Sequence, residues 1–130
     1  MNALDTNVVV RFLTRDDPAQ AARAKVLIAT ESLYLPKSVV LKTAWLLRSR
    51  YRYERTAIVE AMTRLLGLPG MMVEDQPTVA RALAWYAQGL DFADALHLAS
   101  STRAASFATF DQALRRRARR ISGTLPVVAP

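Results

Sequence analysis

The sequence has no cysteine, only four glycines, and no long uninterrupted hydrophobic run. Without cysteine there are no disulfides, and with so few glycines neither common type of Gly-rich phosphate-binding loop is present. The apolar runs fall well short of the roughly 18 residues that a membrane-spanning helix needs. The first residues, MNALDTN, have neither the basic start nor the apolar core of a secretory signal. We therefore expect a cytoplasmic protein with no place in the membrane.

Acidic residues and lysines are both fewer than arginines in this chain. The chain has eleven acidic and eighteen basic residues, a net charge of +7, and fifteen of the basic residues are arginines. Arginine binds phosphate through paired hydrogen bonds that lysine does not match, so this bias favours contact with a nucleic acid. A GC-rich genome would give the same arginine usage with no functional meaning, so charge alone leaves both explanations open.

Short strand-like runs alternate with helical patterns along the chain. The predicted strands are residues 3–4, 33–35 and 71–73, the run SFATF at 106–110 and the segment LPVVAP at 125–130. Asp17 and Pro18 suit the N-cap and first position of a helix, and Pro36 begins another. This alternation predicts a three-layer α/β/α sandwich around a mostly parallel sheet. Because no linker or repeat interrupts it, we expect one domain over residues 1–130.

Carboxylates follow two of these strands and begin a nearby helix. Asp5 ends the first strand, and Asp111 follows SFATF. Asp91 and Asp94 lie in the first turn of the helix DFADALHLAS at 91–100. Ligands of parallel α/β sheets bind at the carboxyl ends of the strands, and clustered carboxylates repel unless a cation lies between them. We therefore expect Mg²⁺ or Mn²⁺, hard cations that take oxygen ligands and activate water.

Asp91, Asp94 and Asp111 also have a structural interpretation, whereas Asp5 is harder to explain as a structural residue. Asp91 suits the N-cap of its helix, Asp94 suits the positive end of the helix dipole, and Asp111 suits the N-cap of the arginine-rich segment DQALRRRARR. An acid at the end of a central strand, such as Asp5, is costly to bury without a partner. For Asp91 and Asp111, cap and ligand both stay open.

Three other conspicuous side chains are predicted to be structural. His97 lies between Leu96 and Leu98, so we expect it to pack or form a hydrogen bond rather than bind metal. Trp45 and Trp85 lie in apolar helices and are expected in the core.

Four segments carry a family resemblance. They are LDTNVVVRFLTRDDP, LPKSVVLKTAWLLRSRY, LDFADALHLASS and FATFD. In order and spacing they resemble the motifs of PIN-domain ribonucleases, in particular the VapC toxins of bacterial toxin–antitoxin pairs, over nearly the whole chain. The resemblance implies a single PIN-like domain with a parallel-sheet α/β/α fold, one or two Mg²⁺ or Mn²⁺ ions held by acids, and cleavage of RNA phosphodiester bonds.

The resemblance also assigns roles by position. The catalytic and metal-binding acids would be Asp5, Asp94 and Asp111, with Asp91 as a further ligand candidate. The polar positions that support the metal shell would be Thr6, Asn7 and Thr109.

A lysine stands where these enzymes usually have a glutamate. The family segment LLExxWVL reads VLKTAWLL here, so Lys42 occupies the position of the acid. Two unit charges about 4 Å apart interact by roughly 4 kcal/mol at an effective dielectric constant near 20, so an ammonium group beside the acids opposes metal binding. We expect the fold to survive and the activity to be weakened or lost. Taken without the resemblance, Lys42 would lay its stem on apolar surface and extend its ammonium to water.

The resemblance further implies an RNA substrate, a homodimer and a small VapB-like antitoxin that inserts into the active-site groove. The basic segment at 115–120 is either a surface for the RNA backbone or a solvated charged face. Its RNA-binding candidates are Arg115, Arg116, Arg117, Arg119 and Arg120. The alternative function is a non-catalytic module of the same fold, in which Lys42 replaces the metal and the protein only binds RNA or the antitoxin.

Overall fold

Helices and parallel strands alternate along the chain. The computed structural model describes residues 1–130. Its strands are β1 (Asn2–Ala3), β2 (Leu33–Leu35), β3 (Met71–Val73), β4 (Phe107–Ala108) and β5 (Val127–Val128). Its helices are α1 (Thr6–Thr14), α2 (Pro18–Thr30), α3 (Lys37–Ser49), α4 (Arg55–Leu66), α5 (Gln76–Ala87), α6 (Phe92–Ala99) and α7 (Gln112–Arg119). Every strand pairing is parallel, which confirms the predicted α/β fold with a parallel sheet.

The first of two compact units comprises Met1–Gln76. Its sheet has the strand order β1-β2-β3, with Leu33 opposite Asn2 on one side and Met71 on the other. In the central strand β2, Leu33 and Leu35 are fully buried. Burying a leucine side chain contributes about 1.5–3 kcal/mol, so β2 anchors this unit. Helix α1 packs against α2 and α3, and α3 packs against α4.

Helix α3, which carries Lys42, is fixed at its start by the segment after β3. Its N-cap is Pro36, which has no side chain able to accept a hydrogen bond. The backbone amide of Lys37 instead donates to Oε1 of Glu74 at 2.7 Å, and the Lys37 ammonium pairs with Asp75 at 2.9 Å. A carboxylate at a helix N-terminus satisfies an otherwise unpaired amide and complements the helix dipole. The position of α3 is therefore set by both its buried face and its N-terminus.

The second unit comprises Pro77–Pro130. Strands β4 and β5 pair in parallel with Phe107 opposite Val127, and α7 packs against β5. Its core includes Val79, Leu90 and Leu98, which are fully buried. The segment LPVVAP therefore supplies a strand as predicted.

The two tryptophans differ in their environments. Trp85 is buried, as predicted, but Trp45 is 62% exposed, so its assignment to the core was wrong. The buried face of α3 carries Val40, Ala44 and Leu47, and Trp45 lies on another side of the helix. None of the helices combines the length and the apolar character needed to cross a lipid bilayer.

Candidate active site

Asp5 lies at the junction of β1 and α1, where it acts as the N-cap of the helix. Its Oδ1 accepts a hydrogen bond from the Thr6 amide at 2.7 Å. The side chain is exposed, and its other oxygen has no hydrogen-bond partner. Capping therefore uses one carboxylate oxygen and leaves the second available to a ligand.

A cavity of about 290 Å³ opens beside Asp5 in the first unit. It is lined by Asp5, Thr6, Asn7, Val10, Arg11, Lys42, Leu46, Arg50 and Tyr51. Lys42 is exposed and forms no ion pair with Asp5. The structure thus places Lys42 in the same cavity as Asp5, with its ammonium group in contact with solvent.

Positive charge predominates in this cavity, which we call the Lys42 cavity. Lys42, Arg11 and Arg50 outnumber the single carboxylate. Arg11 is paired with Asp16. The unpaired charges at the cavity are therefore two cations, Lys42 and Arg50, and one carboxylate, so a divalent cation would be repelled more than it is attracted. The residues of the Lys42 cavity therefore do not fit a metal ion.

Arg11 is held at the edge of the Lys42 cavity by a network around Asp16. Its guanidinium donates to Oδ1 of Asp16 at 3.2 Å and to Oε1 of Gln20 at 2.9 Å. The Tyr51 hydroxyl accepts from Arg11 at 3.2 Å and donates to Oδ2 of Asp16 at 2.6 Å. The Tyr51 hydroxyl, and after it Thr14 and Arg11, hold the pKa of Asp16 below its usual range against a smaller opposing effect of burial. The network joins the α1–α2 turn to the end of α3.

Three further acids lie in the second unit, and two of them are helix caps. Asp91 is the N-cap of α6 and accepts from the Asp94 amide through Oδ2 at 3.2 Å. Asp111 is the N-cap of α7 and accepts from the Leu114 amide through Oδ1 at 3.0 Å. The predicted caps are thus confirmed, and each still has one free carboxylate oxygen.

Asp94 is half-buried and lacks a compensating partner. Burial raises its pKa above the usual range of an aspartate, and the negative charges of Asp91 and Asp111 raise the pKa further. The nearby His97 and Arg117 lower it by a smaller amount. A carboxylate surrounded by other carboxylates is disfavoured in its ionised form, and a bound cation would reverse that penalty.

The donors of the second unit suit Mg²⁺ or Mn²⁺ in chemistry, because all are carboxylate oxygens. In neither unit, however, do three or more aspartate, glutamate, histidine or cysteine side chains converge closely enough to hold a metal ion. Asp91 and Asp111 disfavour the ionised form of Asp94, but the three acids do not form a coordination shell. These carboxylate oxygens are ligands that suit a metal ion, whereas the lining of the Lys42 cavity is mainly cationic and does not.

Thr109 and Arg115 stabilise the turn between β4 and α7. The Thr109 hydroxyl accepts a hydrogen bond from the Asp111 amide at 3.1 Å, and its carbonyl accepts one from Arg115 at 2.7 Å. Thr109 therefore orients Asp111, in keeping with a supporting role. The other candidates for RNA contact, Arg116, Arg117, Arg119 and Arg120, are exposed.

His97 was predicted to pack or to form a hydrogen bond rather than bind metal, and the prediction that it packs was wrong. The side chain is exposed on α6, although Leu96 and Leu98 on either side are buried. Adjacent residues of a helix point in different directions, so apolar neighbours in sequence do not imply burial.

Sequence reasoning overlooked three residues of the Lys42 cavity, namely Arg11, Arg50 and Tyr51. For two of them, the spacing in the sequence indicated a place beside a predicted site residue. Arg11 follows Asn7 by four residues on α1, and Arg50 follows Lys42 by eight, so each repeats the side of its helix that carries the earlier residue. No such spacing indicated Tyr51, because its partner Asp16 is 35 residues away in sequence.

The fold and the site together define an α/β protein whose carboxylates follow parallel strands and begin the next helices. The model of the PIN domain family matches residues 3–120. The chain therefore belongs to the PIN-domain family, whose members are generally metal-dependent nucleases that typically bind Mg²⁺ or Mn²⁺. A search of curated proteins gave no significant match.

Proposed function

We propose that this protein is a VapC-like endoribonuclease of a type II toxin–antitoxin system whose activity is impaired by Lys42. The observation that carries the proposal is the environment of Asp94, half-buried beside Asp91 and Asp111 with a raised pKa. Acids whose pKa is shifted by burial and by neighbouring charges are typical of functional sites. Family membership supports a nuclease, and the four motifs support the toxin subgroup.

In this proposal Asp5, Asp94 and Asp111 would be the metal-holding acids that the family resemblance implies, with Asp91 as a further ligand candidate. Lys42 beside Asp5 opposes the metal. A bound Mg²⁺ or Mn²⁺ would supply Lewis acidity for attack of water on phosphorus. Backbone amides orient two of these acids. The carboxylates of Asp5 and Asp111 each accept a hydrogen bond from an amide of the helix that they cap. Thr6 and Asn7 line the wall beside Asp5, and Thr109 fixes Asp111. The exposed arginines of α7 would hold the RNA backbone.

Cleavage of total RNA by the full chain tests the proposal. We expect the protein as written to cleave slowly in Mg²⁺ or Mn²⁺, and Lys42→Glu to cleave at least about tenfold faster, since tenfold corresponds to only about 1.4 kcal/mol of a charge effect of roughly 4 kcal/mol. The double variant Lys42→Glu/Asp94→Asn should lose the gain, which guards against contaminating nucleases. Equal rates for the protein as written and Lys42→Glu would contradict the assigned effect of Lys42.

A groove between α1 and α2 supports the proposed antitoxin. It has a volume of about 540 Å³, apolar walls from Val8, Ala24 and Leu27, and Arg11 and Arg23 among its lining residues. An amphipathic antitoxin segment with an acidic edge would complement it. A short gene for a DNA-binding protein immediately upstream, whose product copurifies with this chain, would support this partner. Failure of the two to copurify on coexpression would argue for a solitary nuclease.

The proposed homodimer depends on the same resemblance, whereas the cytoplasmic location is proposed from the cysteine-free composition. Exposure of Trp45 supports a protein interface on α3, since large aromatic side chains are enriched at interfaces. Light scattering on the purified chain would test the dimer through its mass.

A non-catalytic module that binds RNA or the antitoxin is the second candidate, and the Lys42 cavity favours it. Lys42, which the resemblance places at the position of the usual family glutamate, lines the cavity together with Arg11 and Arg50. Calorimetric titration with Mn²⁺ separates the two candidates. Binding to Lys42→Glu but not to the protein as written fits an impaired enzyme, and binding to neither fits the module.

A further inference from the structure

The Lys42 cavity has the composition of an anion site. Three of its lining side chains, Lys42, Arg11 and Arg50, are cationic at neutral pH, and only Asp5 is anionic. Its volume of about 290 Å³ is several times the roughly 30 Å³ share of one water molecule, so a phosphate group can enter.

Two of the three cations are available to a ligand. Lys42 and Arg50 are exposed, and neither side chain forms an ion pair or a hydrogen bond in the structure. A cation that is not already paired loses less on binding an anion, because no existing contact must be broken. Lys42 and Arg50 lie eight residues, or about two turns, apart, with Lys42 within α3 and Arg50 at its C-cap.

The third cation is fixed in position. Arg11 is held by Asp16, Gln20 and Tyr51, so its guanidinium is ordered before any ligand arrives. The Tyr51 hydroxyl donates its hydrogen bond to Asp16 and is not free to donate to another acceptor. One oxygen of the Asp5 carboxylate is already engaged, since it accepts from the Thr6 amide at the start of α1.

We propose that the Lys42 cavity binds a phosphate group of the RNA backbone, with Lys42 and Arg50 as its unpaired contacts and Arg11 as the contact that Asp16, Gln20 and Tyr51 hold in place. This inference rests on the proposed function in taking RNA as the polyanion. Lys42 then has a role of its own, because it makes RNA binding independent of a divalent metal.

Fluorescence anisotropy with a short 2′-O-methyl RNA, which resists cleavage, tests the proposal in buffer containing EDTA. We expect the full chain to bind, and Lys42→Gln and Arg50→Gln each to bind several-fold more weakly. Each substitution should also reduce the slope of log K against log salt by about 0.7, the value for one phosphate contact on a single strand.

Arg48→Gln is the matched control. It removes one positive charge from the same helix, but Arg48 does not line the Lys42 cavity. Because Arg48 donates to the Tyr53 carbonyl at 3.2 Å, thermal unfolding of Arg48→Gln is measured beside its RNA affinity. Its effect on affinity and on the salt slope should be smaller than that of Arg50→Gln. Equal effects of the two substitutions would overturn the proposal, because they would show a response to net charge alone.

A second measurement uses inorganic phosphate and backbone amide NMR. Phosphate should shift the amide signals of Thr6 and Asn7 in a saturable way, and Lys42→Gln should abolish the saturation. If phosphate saturates these signals while neither substitution weakens RNA binding, the cavity takes free phosphate and the proposal is overturned.

Failure of the inference is distinguishable from failure of the proposed function. RNA binding that both cavity substitutions leave intact overturns the phosphate site and leaves the nuclease proposal standing. Absence of RNA binding by the full chain, together with absence of cleavage by Lys42→Glu, overturns both. Cleavage by Lys42→Glu with metal-dependent RNA binding by the protein as written overturns only the inference.

Discussion

At the scale of single residues, Thr43 has the least favourable environment of any polar side chain in the chain. It is completely buried in α3, and its Oγ1 has no hydrogen-bond partner. A buried hydroxyl without a partner costs about 1–3 kcal/mol. Thr43→Val, which replaces that hydroxyl by a methyl group, should therefore raise the free energy of unfolding by about 1 kcal/mol, measured by urea denaturation.

Thr14→Val is the control for this prediction. The Thr14 hydroxyl donates to the Val10 carbonyl at 2.8 Å and lies 3.0 Å from Oδ1 of Asp16. Its loss should lower stability by about 0.5–1.5 kcal/mol. If Thr43→Val were destabilising as well, the Thr43 hydroxyl would have to have a partner in solution.

Asp16 gives a prediction about pH. Its pKa is lowered mainly by the Tyr51 hydroxyl, so Tyr51→Phe should move the pKa upward, as followed by NMR titration of the carboxyl carbon. A depressed folded pKa means that the ionised form stabilises the fold. That contribution is complete above the unfolded value of about 3.9 and is lost as the pH falls through the lower folded value.

The stability difference between the protein as written and Tyr51→Phe should therefore shrink in acid below about pH 3.9. The measurement is urea denaturation at a series of pH values. A difference that grew as the pH fell would contradict the assigned role of Tyr51.

At the scale of elements, α7 divides its arginines into two groups with different roles. Arg115 donates to the Thr109 carbonyl at 2.7 Å, whereas Arg116, Arg119 and Arg120 are exposed. Arg115→Gln should therefore lower stability by about 1 kcal/mol through the lost hydrogen bond. Replacing the three exposed arginines by glutamine should leave stability nearly unchanged and reduce the salt slope of RNA binding by up to about 2.

Thermal unfolding measures the stability of the two variants, and fluorescence anisotropy measures the salt slope of their RNA binding. Arg117 is kept in both, because its charge lowers the pKa of Asp94. If the triple variant bound RNA with an unchanged salt slope, the exposed side of α7 would be a solvated charged face.

The helix starts could be predicted from sequence because their chemistry is local. Asp17 caps α2 through the Gln20 amide at 3.1 Å, with Pro18 at the first position. Asp91 and Asp111 raised a choice between cap and ligand that sequence could not resolve. The structure shows that the two roles are compatible, since a cap uses one carboxylate oxygen and leaves the other free.

At the scale of the whole molecule, the parallel α/β fold followed from the alternation of elements, but the surroundings of the site did not. The Lys42 cavity combines residues from α1 with residues from α3 and its C-terminus, and the Arg11–Tyr51 contact spans 40 residues. Such contacts depend on how α1 packs on α3, which no local pattern specifies. Exposure of Trp45 and His97 was misjudged for the same reason, because neighbours in sequence were taken for neighbours in space.

The stability of the full chain should report whether Lys42 determines metal binding. A ligand that binds only the folded state stabilises it by RT ln(1 + [L]/Kd), or about 2.7 kcal/mol at a hundred times Kd. Thermal unfolding of the protein as written should therefore be insensitive to Mn²⁺, whereas Lys42→Glu should unfold at a higher temperature as Mn²⁺ is added. Lys42→Gln removes the ammonium without adding a carboxylate, so its response should be intermediate. An equal rise for the protein as written and Lys42→Glu would show that the ammonium does not oppose the metal, and the slow cleavage expected of the unaltered chain would then lose its physical basis.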